Sequence, residues 1–272
     1  MIQIPDFTEK KELFDWLKSN KHLLITEKKA QLKRADPVVF QVFELTEKGE
    51  VTKATVNPEL LNLSEFPVKV VINTTNIRDS HKDVHIPGLW KKTLSEQKII
   101  YLLQEHEMKF DHIISDKVTA VTKSMRWDEL GFNWPGNTEA LIFDASITKE
   151  RNPYMAEQYA KGYVKNHSVG MQYVKIDLAM NSDSKYDEAE RKVWDKYIDQ
   201  IVNKAEVEQD GYFWAVTEAK LVEGSAVPMG SNFVTPTISV GKTLEESRES
   251  TEDKPDNAAI IKSLEKLNQL FT

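Results

Sequence analysis

The sequence predicts a mainly β fold with surrounding helices, arranged as a barrel or a sandwich. Three observations carry this. Short runs with apolar and polar residues in alternation recur along the chain: VVFQVFEL (38–45), VKVVINTT (68–75), KIIYLL (98–103), VTAVTK (118–123), EALIFDASI (139–147), SVGMQYVKI (168–176) and FWAVTEAKLV (213–222). Helical spacing is confined to a few segments between and around them, and a series of short strands of this kind closes most readily as a barrel or a pair of sheets. Finally, 272 residues with 40% hydrophobic and 29% charged content fit one core with appendages.

Taken in order, residues 7–34 space Phe7, Leu13, Phe14, Leu17, Leu23, Leu24 and Leu32 for one helical face amid many lysines, giving an N-terminal helical extension over 1–36. The main domain follows, over 37–241. Within it Arg78 and Asp79 are placed to form a surface ion pair, and Pro87-Gly88 turns the chain into a short helix with Trp90 and Leu94. A second helix is expected over 153–164. A charged stretch near 184–205, with Tyr186, Val193, Trp194, Tyr197, Ile198 and Ile201, reads as a helical insertion covering about 180–206. Residues 242–256 are dense in charge and serine, as flexible linkers are. Behind a cap at Asp256 or Asn257, residues 257–272 place Ile260, Leu264, Leu267 and Phe271 on one face of an amphipathic helix. No internal repeat of fixed period is present.

A net charge of -7 and a pI near 5.5 argue against sustained nucleic-acid binding, which needs clustered Lys and Arg. A protein partner or peptide substrate fits better. Zero cysteines leave a hydroxyl, amine or carboxylate as any nucleophile and exclude thiolate metal sites. The first residues lack an apolar leader core, and no uninterrupted apolar run approaches 18 residues, so a cytosolic protein without a membrane span is expected.

Three residues can carry chemistry. His106 follows the apolar run IIYLL, where a rigid backbone would hold an imidazole suited to taking a hydroxyl proton at neutral pH. Flanked by Glu105 and Glu107, it reads equally as a solvated charged edge. Ser168 begins a strand with Gly170 two residues on, a setting that can offer an exposed hydroxyl and open backbone amides. His167 is its neighbour but points to the opposite face of the strand, which makes it a poor base. Glu223 interrupts an apolar stretch and could orient a histidine or pair with a lysine. A metal hydrolase is the competing enzyme reading, from His81 and His85 four apart with His106, Asp111 and His112 nearby. Pro87 and the lack of a glutamate beside His81 stand against it.

The order of these segments resembles the prohead, or capsid-maturation, serine proteases of tailed phages, which share their fold with the herpesvirus assemblins. The resemblance runs through RDSHKDVHIPGLWKKTL, YLLQEHEM, GYVKNHSVGM and LVEGSAVPMGSN, together spanning roughly residues 70–235. It implies an antiparallel β-barrel ringed by helices, with His106 as base, Ser168 as nucleophile and Glu223 as orienting acid, and with no cofactor or metal. Backbone amides near Met229, Gly230 and Ser231 are candidates for the oxyanion site. The implied substrates are phage scaffold and major capsid protein, cleaved inside the assembling procapsid in the host-cell cytoplasm. Dimerisation of the related viral proteases adds a homodimer to the expectations. The loop from Ser168 to Glu223 is longer than the family's usual one, and His167 stands where a small residue is usual. The non-catalytic alternative is a capsid or scaffold-associated protein that kept the fold and lost the chemistry.

Overall fold

The computed structural model describes residues 2–32, 58–96 and 98–241. The strand expected at 38–45, the linker over 242–256 and the helix over 257–272 lie outside the described residues. In chain order the principal elements are α1 (Lys10–Ala30), β1 (Glu65–Thr74), β2 (Asp83–His85), α2 (Lys91–Ser95), β3 (Leu102–Gln104), β4 (Ile113–Ser115), β5 (Val118–Arg126), β6 (Asn137–Thr148), α3 (Pro153–Ala160), β7 (Asn166–Met180), α4 (Glu188–Tyr197), α5 (Lys204–Asp210), β8 (Tyr212–Val227) and β9 (Thr237–Val240).

Two sheets share these strands. One has the order β5-β6-β1-β9 and is antiparallel throughout. The other is built on the long antiparallel pair β7–β8, which runs from Asn166 opposite Val227 to Met180 opposite Tyr212. The opposite edge of β8 takes two short parallel partners in succession. β2 lies against Trp214–Val216 and β3 against Gly224–Ala226, with β4 antiparallel to β3. The expectation of a purely antiparallel arrangement is therefore corrected. Both β2 and β3 reach β8 through long connections rather than hairpins, and only such connections permit parallel pairing. The sheets do not close on one another among the described residues, so the architecture is a mixed one, mostly sheet with helices packed around it.

Apolar side chains explain the layering. Val70, Ile72, Leu141, Phe143, Leu102 and Val169 belong to one buried cluster. Phe14, Leu17 and Leu24 of α1 join that cluster, and α1 also brings Lys18, Lys21 and Lys28 to Asp187, Glu190 and Asp83. These carboxylates are nearly or fully buried, and a buried charge left without a partner is costly. The segment expected as an extension thus packs on the main core. Residues 184–205, expected as a helical insertion, supply Trp194, Tyr197, Ile198 and Ile201 to a second cluster with Ala179, Phe213 and Ala215 of the β7–β8 pair.

Local differences from the sequence reading have simple causes. Only Leu102 and Leu103 of the 98–103 run are strand, and β2, β4 and β9 are too short to show a period. The Pro87-Gly88 turn forms, with Gly88 at φ 91, and leads into α2 beside the fully buried Trp90. The expected Arg78–Asp79 ion pair does not form, and both residues are buried rather than on the surface. Arg78 pairs with Asp210, while Asp79 accepts from the backbone N–H groups of His81 and Asp83. No helix among the described residues is long and apolar enough to cross a membrane.

Candidate active site

β8 carries Glu223 and Ser225 two residues apart, hence on one face of the strand. Across the β7–β8 pairing, Gly170 stands opposite Glu223 and Ser168 opposite Ser225, and directly opposed residues share a face. On the other edge of β8, β3 runs alongside Gly224–Ala226 and delivers the chain to His106. Four residues from three strand regions therefore converge: His106, Ser168, Glu223 and Ser225. All are buried, at 5%, 7%, 1% and 0% exposure.

The polar contacts have a clear direction. Glu223 Oε1 accepts from His106 Nδ1 at 2.6 Å, and Glu223 Oε2 accepts from Ser225 Oγ at 2.6 Å. Ser225 Oγ in turn accepts from the His106 backbone N–H at 3.1 Å. With the proton on Nδ1 and directed at the carboxylate, the imidazole lone pair lies on Nε2, the nitrogen that takes a hydroxyl proton in a Ser-His-acid arrangement.

Backbone geometry brings the histidine there. Glu105 and His106 have φ 53 and 60, in the left-handed region that side chains other than glycine enter at a cost of about 1–2 kcal/mol each. Three hydrogen bonds hold the turn: Glu105 N–H to Ala226 O, His106 N–H to Ser225 Oγ and Glu107 N–H to Gln104 O. Such strain concentrates where a side chain must be aimed.

Gly170 has a different role from the one its place beside Ser168 suggested. A Cβ there would overlap Glu223 Oε1 and lie 2.7 Å from Cδ, so its missing side chain makes room for the carboxylate. Gly230 is also close. A Cβ on it would lie 2.9 Å from His167 O and 3.5 Å from Ser168 Cβ, which puts the 229–231 segment over the start of β7. A cavity of ≈ 270 Å³ opens at the same end of the sheet, lined by Gln104, Glu105, Met155, Asn166, Val227 and Pro228 among others.

His167 faces away from Ser168 into a neutral setting. Its Nδ1 donates to Thr235 O at 3.1 Å, its Nε2 accepts from Tyr159 Oη at 2.9 Å, and burial pushes its pKa down to about 4.

A second polar group lies on the other side of Ser168, across a small cavity of ≈ 20 Å³ lined in part by Asn73, Asp79, His81, His85 and Tyr173. Its hydrogen bonds form a directed chain. Trp90 Nε1 donates to Asn73 Oδ1, Asn73 Nδ2 to His85 Nδ1, His85 Nε2 to Tyr173 Oη, and Tyr173 Oη to Asp83 Oδ2, which Lys28 neutralises through Oδ1. Burial and the neighbouring Asp83 push Asp79 well above the usual carboxylate range, and burial likewise raises Tyr173.

The residues of the metal reading are dispersed. His81 and His85 belong to this second group, His106 bonds Glu223, and His112 pairs with Asp111 near the surface. No three His, Asp or Glu side chains among the described residues are arranged to hold a metal ion.

Sequence reasoning named His106, Ser168 and Glu223 and missed Ser225. The available signal was the Glu-Gly-Ser spacing, which puts two polar side chains on one face of a strand otherwise rich in apolar residues. Comparison with family models, with curated proteins and with solved structures gives no match.

Proposed function

We propose that this chain is a serine endopeptidase of the kind that matures tailed-phage procapsids, cleaving scaffold or major capsid protein within the assembling shell in the host cytoplasm. One observation carries the reading: the buried His106–Glu223 hydrogen bond of 2.6 Å, set beside the Ser168–Ser225 strand pair. In the proposed step His106 Nε2 takes the Ser168 proton as Oγ attacks a peptide carbonyl. Glu223 stabilises the resulting imidazolium, and water then hydrolyses the acyl-enzyme. The 229–231 segment is the proposed source of amides for the oxyanion. The cavity beside Glu105 and Asn166 offers room for a substrate side chain.

The barrel implied by the family resemblance belongs to the same proposal. An isolated bridge between Asn166 and Pro236, and the bond from Val71 N–H to Pro236 O, support it by linking β7 to β1. On the other side Ser115 Oγ reaches Ser146 O, joining the β4 edge to β6. A homodimer is part of the reading by analogy with the related viral enzymes.

The test is cleavage of scaffold and shell protein by wild type, Ser168→Ala and His106→Ala. Each substitution should abolish turnover; Ser168→Ala should unfold close to wild type, whereas His106→Ala, which leaves the buried Glu223 carboxylate without its 2.6 Å partner, should unfold at lower temperature. A serine-directed covalent reagent should label the Ser168 peptide. Cleavage that persists in Ser168→Ala overturns the proposal. A non-catalytic, capsid- or scaffold-associated role is favoured by one observation, the 7% exposure of Ser168. Absence of both labelling and cleavage in wild type decides for that role.

A further inference from the structure

A single hydroxyl touches both halves of the His106–Glu223 pair. Ser225 is fully buried, donates its one proton to Glu223 Oε2 at 2.6 Å and accepts from the His106 backbone N–H at 3.1 Å. We propose that Ser225 is a positioning residue, fixing at once the rotamer of the carboxylate and the left-handed backbone from which the base projects. Its catalytic consequence rests on the reading of His106 as the base.

The argument begins with what the hydroxyl can do. A serine side chain offers one donor and two acceptor lone pairs, and here the donor is committed to Glu223 on the same strand and one lone pair to His106 in the turn after β3. Without Ser225 Oγ, Glu223 Oε2 loses a charge-assisted bond and the His106 amide loses its acceptor, both in a buried setting where unmet polar groups are costly. The turn at Glu105 and His106 is uphill in backbone energy, so loss of one of its three bonds lets the imidazole leave the line set by Glu223. Apolar packing cannot replace either bond.

The electrostatic consequence has a definite sign. With His106 protonated, the pair is an imidazolium and a carboxylate whose charges cancel. With His106 ready to act as base, the carboxylate charge stands alone. A hydrogen bond donated to Glu223 stabilises the second state more than the first. Its removal therefore disfavours the active form, and the acid limb of the rate profile moves to higher pH.

The full chain is compared as wild type, Ser225→Ala, Ser225→Thr and Ser225→Cys. In Ser225→Ala kcat should fall by about tenfold or more, the scale of leaving a buried polar group unpaired, with KM close to wild type and the acid limb displaced upward. Threonine keeps the hydroxyl and should restore both kcat and profile, while cysteine, a weak donor, should give intermediate values. A readout without substrate accompanies these assays: the low-field proton NMR signal of the His106 Nδ1–H bonded to Glu223. It should be present in wild type, lost or broadened in Ser225→Ala, and recovered in Ser225→Thr. If Ser225→Ala keeps both the wild-type low-field signal and the wild-type rate profile, the proposal is overturned. If the signal behaves as expected but wild type neither cleaves protein nor reacts at Ser168, the peptidase reading fails while the positioning role of Ser225 stands.

Discussion

His106 and His167 are both buried near the Ser168–Ser225 strand pair, one bonded to the Ser225 hydroxyl and one next to Ser168 in sequence, and their surroundings differ. His106 points Nδ1 at a carboxylate, so a negative charge faces its ring. His167 points Nδ1 at a carbonyl and Nε2 at a phenol, and burial without a nearby opposite charge keeps it neutral down to about pH 4. Burial is common to both. The charge of the partner differs, and it decides whether a histidine suits proton transfer or packing.

The largest expected effect comes from removing the space that Glu223 occupies. Gly170→Ala places a methyl on the carboxylate, so Glu223 must turn away and His106 loses its partner. The proposed peptidase activity should then fall by about 10²- to 10⁴-fold, the scale of losing general acid–base assistance, and overpacking should lower stability by about 1–3 kcal/mol. Steady-state kinetics and chemical denaturation measure the two effects. Near-normal activity in this variant would erase the contrast between the histidines.

Acid stability tests the other histidine. His167 has a folded pKa of about 4 against an ordinary value of 6.5. Between those values the unfolded chain binds a proton that the folded protein does not, so stability is lost as pH falls from 6.5 to 4. The full effect is on the order of 3 kcal/mol. Asp79 acts with the opposite sign: its raised pKa contributes stability at low pH that disappears as pH rises through the folded value. Comparison of wild type with His167→Gln cancels the Asp79 contribution. The variant should show a shallower decline from pH 6.5 to 4 in urea unfolding, and an activity loss far smaller than that of Gly170→Ala. Parallel curves would show that His167 carries no such linkage.

The smallest effect concerns the turn that aims His106. Glu105 at φ 53 occupies a conformation that glycine enters freely. Glu105→Gly should raise unfolding free energy by up to about 1 kcal/mol, reduced by the greater freedom of the unfolded chain. A clear loss of stability would mean that the Glu105 side chain supports the turn through its own contacts.

Much of the fold and part of the site were legible in the sequence because their signals are local. The alternation in 139–147 and 213–222 set out β6 and most of β8, and helical spacing located α1 and α3 within a few residues. His106, Ser168 and Glu223 were distinguishable as polar residues at the margins of apolar runs. The three-residue strands β2 and β4 had too little length for a period to register. The parallel docking of β2 and β3 on β8 depends on long connections whose paths no local pattern encodes.

By itself, then, the sequence determined which residues alternate, which faces are apolar and which side chains carry titratable chemistry, since those follow from residue type and spacing. Only the tertiary structure decided which of them meet. The β7–β8 register sets Gly170 against Glu223 and Ser168 against Ser225, and a shift of one residue would turn either set to the other face. The left-handed turn after β3 then brings His106 to Glu223 across 117 positions of sequence. Pairing at that separation is fixed by packing of the whole core, so it could not be read from any local segment.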